Sequence, residues 1–120
     1  MKLSTVVQKL KQQHFVETVV QFGSSLERED YRDVDLCIFA SQPLSLRQKL
    51  RIITEFPEKY DVSFYEDLPL HIKKEILFNG KILFTRNYDK ILQQLSYVEL
   101  EYPRYKAFLD EYHQEMMAAV

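Results

Sequence analysis

The segment FGSSLEREDYRDVDLCIF, residues 22–39, places Gly23-Ser24 ahead of Asp33 and Asp35. VDLCIFA, residues 34–40, reads as a β-strand that becomes buried. Alternate residues of a strand share a face, roughly 6.6 Å apart, so Asp33 and Asp35 point the same way. Two carboxylates at that spacing repel each other and resist burial unless a cation lies between them. Ligands that are all oxygen favour a hard divalent ion, Mg²⁺ or Mn²⁺. Zinc is not expected, because His14, His71 and His113 are scattered and Cys37 is the single cysteine. Gly23 lets a phosphate approach the backbone. Ser24, Ser25 and the following amides can donate to phosphate oxygens if they form a helical turn. Arg28 is the nearest cation and a candidate phosphate contact.

The surrounding elements decide whether these residues meet. Residues 4–13 read as a first helix with Val7 and Leu10 inward, and residues 15–22 as the first strand, ending at Gly23. After the strand 34–40, a helix capped by Ser45 carries Leu46, Leu50 and Ile53 at helical spacing. Residues 60–66 form a third strand and residues 81–85 a fourth. Between them runs a helix that Pro69 opens and Asn79-Gly80 stops. From about Asn87 the chain reads as two helices divided by Pro103. Gly23-Ser24 meets Asp33 only if the first two strands are antiparallel. Asp61 joins them only if the third strand runs parallel to the second, through a helical crossover. One topology therefore gathers Ser24, Asp33, Asp35 and Asp61 at one end of a mixed sheet. Three acids beside a Gly-Ser turn suit metal-assisted phosphoryl chemistry, with two metals bridging attacking and leaving oxygens.

The fold class expected is α/β (α+β), a mixed four-stranded sheet flanked by helices. Residues 1–86 would form the core and residues 87–120 a C-terminal helical extension. The bulk properties agree with one globular domain. There are 120 residues, 46% hydrophobic and 28% charged, with eight Phe and eight Tyr. A net charge of −2 argues against binding along a nucleic-acid backbone. One cysteine excludes an internal disulfide and fits a reducing compartment. Met1–Lys11 lacks the apolar run of an export signal, and no stretch nears the roughly 20 apolar residues that span a bilayer. A cytoplasmic location is expected.

Other groups have plainer readings. Glu27, Glu29 and Asp30 suit a solvated loop, and Cys37 a core position. Lys73 and Lys74 suit the surface, and Glu66 and Asp67 a loop or helix cap. Tyr105, Phe108, Leu109, Tyr112 and Met116 form one helical stripe, read as core, with a partner-binding face as the alternative.

Gly-Ser, a gap, Asp-x-Asp on a strand and a third acid one helix later resemble the nucleotidyltransferase superfamily that includes DNA polymerase beta. The small size is similar to its minimal nucleotidyltransferase (MNT) branch. YDVSFYEDLPLHIKKEILFNGKILF, residues 60–84, resembles that branch's third strand, helix and fourth strand, and YPRYKAFLDEY its C-terminal helix. The resemblance covers nearly the whole chain. It implies that Gly23 and Ser24 bind phosphate, that Asp33 and Asp35 bind metal, and that Asp61 helps activate an acceptor hydroxyl. It implies transfer of a nucleoside monophosphate from an NTP, ATP foremost, with pyrophosphate released. It further implies a HEPN-type ribonuclease partner, either modified by the chain or neutralised through contact alone. With no evident separate acceptor-binding domain in the 120 residues, a partner chain or a homo-oligomer is expected to supply that surface. Two departures stand out. Only eight residues, 25–32, separate Ser24 from Asp33, fewer than is usual, and SLERE replaces the basic R-x-R-G that many members carry.

Overall fold

The computed structural model describes residues 1–26 and 33–118. Helix α1 (Leu3–Gln12) leads into strand β1 (Val16–Phe22) and a 3-10 turn, Ser24–Leu26. Strand β2 (Val34–Ala40), helix α2 (Leu46–Glu55) and strand β3 (Tyr60–Phe64) follow. After a second 3-10 turn, Tyr65–Asp67, come helix α3 (Leu70–Asn79), strand β4 (Lys81–Thr85) and helix α4 (Tyr88–Ala118). The strands form one sheet in the order β3-β2-β1-β4. β1 is antiparallel to both β2 and β4, while β2 and β3 are parallel. This is the mixed topology that the acids require.

Alternation along β2 divides the core between two faces. Leu36 and Ile38 pack with Val6 and Leu10 of α1 and with Ile52 of α2. Cys37 and Phe39 pack on the other face with Tyr65 and with Ile76 of α3. Cys37 is fully buried, and burial drives its thiol far above the ordinary range, so it serves as a small apolar core residue. The core face of α1 carries Val6, with Val7 only half-buried beside it.

Helix α2 begins at a capping box. Ser45 Oγ accepts from the Gln48 amide at 3.2 Å, and Gln48 Oε1 accepts from the Ser45 amide at 2.8 Å. Its inner side is set by Ile52. Leu46, Leu50 and Ile53 lie on the solvent side, 72%, 50% and 38% exposed. Lys49 bridges α2 to the turn after β3, reaching Asp67 at 2.8 Å and Glu66 at 3.6 Å.

Asn79-Gly80 stops α3 as its sequence implies, though by close packing, whereas Pro103 does not divide the last helix. Gly80 ends α3 with φ −72°, so it is not a left-handed cap. It is required by close approach, since a Cβ there would meet the Ile76 carbonyl and a Val20 methyl inside contact distance. Gly80→Ala is expected to destabilise the fold by about 1–3 kcal/mol through overpacking, measured by denaturant unfolding. Pro103 lies inside α4 without dividing it. Proline removes one amide donor, and the carbonyl that would receive it, on Glu99, belongs to an exposed residue. Water can replace the lost bond there, and the helix continues. The near half of α4 is anchored by buried Ile91 and Val98. Its far half is exposed, with Phe108 at 64%, Tyr112 at 50% and Met116 at 52%. The stripe read as core is therefore largely on the surface, because α4 extends past the body that could cover it. Among the described residues, no helix is long and apolar enough to cross a membrane.

Candidate active site

Strand register assembles the site. Asp35 of β2 pairs with Phe22 of β1 on one side and with Asp61 of β3 on the other. In-register residues of parallel strands share a face, so Asp35 and Asp61 stand side by side. Asp33, two residues before Asp35, projects to that face as well. Ser24, Asp33, Asp35 and Asp61 line one open cavity of about 700 Å³. That volume lies within the range of ligand sites, roughly 300–1,000 Å³.

Gly23 connects the turn to the acids. Its φ is +82°, a left-handed conformation that glycine adopts without strain. Its missing side chain leaves room for Asp35, since a Cβ there would lie 2.5 Å from Asp35 Oδ2. The 3-10 turn that follows is closed by the Leu26 amide donating to the Gly23 carbonyl at 3.2 Å. Ser24 is exposed and faces the cavity. Ser25 is turned inward, where its hydroxyl accepts from Gln21 Nε2 at 3.0 Å. Ser25 thus secures the turn and is not part of the cavity wall. Arg28 lies outside the described residues, as do Glu27, Glu29 and Asp30.

The carboxylates are close enough to influence Asp35. Asp35 is half-buried, and burial raises its pKa above the usual carboxylate value. The charges of Asp61, Asp33 and Glu75 raise it further, as does a hydrogen bond with Asp61. Glu75, on α3, is an electrostatic neighbour that the sequence reading did not include. The cavity has a second wall that was also missed. Ile53 and Thr54 of α2, then Phe56, Pro57 and Glu58, close its other side. The signal for this wall was present, because whatever leads into Asp61 must lie beside it.

Carboxylate oxygens without His or Cys suit a hard divalent ion, which would offset both the burial and the neighbouring negative charges that raise the proton affinity of Asp35. Among the described residues, no three His, Cys, Asp or Glu side chains already converge as a metal-binding cluster. A smaller cavity of about 210 Å³, walled by Phe39, Tyr65, Lys73, Lys90 and Gln94, lies at the opposite end of the same strands. It contains none of the three aspartates.

Comparison with known proteins supports the fold on which this site is built. The family model described as polymerase beta, nucleotidyltransferase matches residues 4–89, which include all three aspartates and the Gly-Ser turn. A Methanocaldococcus jannaschii protein named "Putative protein adenylyltransferase" is 32% identical over 68 residues, 55% of this chain and 53% of that protein. The chain thus aligns with about half the length of that relative. A chain of a toxin–antitoxin crystal structure with AMP-PNP superposes with a TM-score of 0.78 at 14% identity, covering 97% of this chain and 99% of that one. A chain from a complex of a tri-AMPylated Shewanella oneidensis HEPN toxin with its MNT antitoxin gives 0.72 at 15% identity, covering 94% of each. These two likenesses establish a common fold. The match across residues 4–89 establishes more: the chain belongs to the polymerase beta nucleotidyltransferase family.

Proposed function

We propose that the chain transfers AMP from ATP to a hydroxyl group on a partner protein, with a HEPN-type protein as the partner. One observation carries this reading. The Asp35–Asp61 register places three acids in one cavity with Ser24, beside the Gly23 turn. Gly23 and Ser24 would hold phosphate oxygens, and Asp33 and Asp35 a divalent cation, with Asp61 completing the set. The cation would neutralise the triphosphate and the developing charge on the leaving group. The acceptor oxygen attacks the α-phosphorus, and the bond to the leaving pyrophosphate breaks. The hydroxyl proton passes to Asp61, which is exposed at the cavity wall and can reach solvent. The adenylyltransferase name of the archaeal relative and the AMP-PNP and AMPylated-toxin complexes of the structural neighbours support the choice of nucleotide and acceptor.

A second reading, neutralisation of the partner by contact alone, is favoured by the exposed aromatic stripe on α4. The experiment that tests the first is incubation with α-labelled ATP, Mg²⁺ and the product of the neighbouring gene. Label is expected on that product with the unaltered chain and none with Asp33→Asn. An unlabelled partner that is nevertheless neutralised would establish the second reading.

A further inference from the structure

The outer side of α2 carries three large apolar side chains in line. Leu46, Leu50 and Ile53 recur at i, i+4 and i+7 and are 72%, 50% and 38% exposed. The stripe is about 10 Å long at 1.5 Å per residue. Its last member, Ile53, is also a wall of the aspartate cavity. The stripe is therefore continuous with the site and leads out of it. Arg47 and Arg51 are exposed one step round the helix, along one edge of the stripe. Neither guanidinium is paired with a carboxylate among the described residues. The third cation of the helix, Lys49, is already engaged by Asp67 and Glu66. A chain of net charge −2 thus presents a local positive edge beside an apolar strip. The cavity end carries the opposite sign, with Glu58 added to the aspartates.

We propose that this face of α2 docks the acceptor polypeptide and guides its hydroxyl into the aspartate cavity. This rests on the transfer reading above and adds the feature that selects the substrate. The segment recognised has apolar side chains at helical spacing, to lie along Leu46 and Leu50. It carries acidic residues on the side facing Arg47 and Arg51. Its acceptor hydroxyl lies beyond the Ile53 end, at the aspartate cavity that Ile53 helps to wall.

The test is steady-state label transfer from ATP to the product of the neighbouring gene. Leu50 lies outside the cavity, so Leu50→Glu is expected to raise the KM for the acceptor protein about tenfold or more. The kcat at saturation, the KM for ATP and the thermal midpoint should be unchanged. Leu50→Met, apolar and of similar volume, should keep the low KM. Arg51→Glu should also raise it, more at low salt than at high. An unchanged acceptor KM in Leu50→Glu overturns the docking surface while leaving the transferase reading intact. A rise confined to Arg51→Glu marks charge attraction to the acceptor without the apolar contact, and overturns it as well. Absence of label with the unaltered chain overturns the transferase reading and this inference with it.

Discussion

Asp35→Asn is expected to abolish AMP transfer, lowering its rate by more than about a hundredfold. Loss of a group that merely supports a metal ligand costs about 10–100-fold, and loss of a ligand costs more. The same substitution should raise the thermal midpoint of the metal-free chain, because it removes a charge that the fold accommodates poorly. Burial first, then the neighbouring carboxylates, gives Asp35 a higher proton affinity in the folded chain than in the unfolded one. Its ionised form therefore subtracts from stability above the folded pKa. That penalty fades as pH falls through the folded pKa towards the ordinary carboxylate value of 3.8. Mg²⁺ should relieve the same penalty by a different route. At ten times its dissociation constant it should raise the midpoint of the unaltered chain at neutral pH by roughly 5 °C. The rise should shrink in acid and vanish in Asp35→Asn. Scanning calorimetry with and without Mg²⁺ measures both. Activity lost and stability gained together would separate a charged functional site from a structural one. If Asp35→Asn still neutralises the partner, contact suffices and transfer is not the basis of neutralisation.

Gly23→Ala is expected to impair both folding and chemistry. A left-handed φ costs an L-residue about 1–2 kcal/mol. The new methyl group would also press on Asp35 Oδ2 and turn that carboxylate out of line with Asp61. A misplacement of about 1 Å can cost roughly a hundredfold in rate. Chemical denaturation should report the first effect and labelled-ATP transfer the second. Gly80→Ala provides the contrast, because its steric conflict is with the Ile76 carbonyl and a Val20 methyl and not with an aspartate. It should cost stability and leave the per-molecule rate of the folded fraction nearly intact.

Much of this arrangement could be read from residue order. Strand β2 is an apolar run bounded by charge on one side and by Ser41-Gln42-Pro43 on the other, so its limits were plain. The convergence of Ser24, Asp33, Asp35 and Asp61 was legible as a condition on strand polarity, and the observed pairings meet it. What could not be read was which side of a helix the body would cover. Helix α2 offers two apolar choices, Ile52 or the Leu46–Leu50–Ile53 stripe, and spacing favours the stripe. Packing against β3 instead selects the side of Ile52, with the Lys49 stem lying over the Phe64 ring, its ammonium 5.6 Å from the ring centre. The stripe on α4 was misread for a related reason, since periodicity signals a helix and says nothing of what lies beyond it. Pro103 was read as a break because the rule assumes that the lost hydrogen bond is buried. Gln21 holding Ser25, and Glu75 adding to the field at Asp35, are contacts between distant or inward-turned side chains that no motif encodes.

The lateral pairing of Asp35 with Asp61 also bears on when the site comes into being. The two residues belong to strands joined only through the whole of α2, so nothing shorter than the complete crossover sets them abreast. A nascent chain still lacking β3 holds two of the acids without the third. The ability to react is therefore expected to switch on in a single step with cooperative closure of the sheet, and a half-made chain leaving the ribosome stays inert.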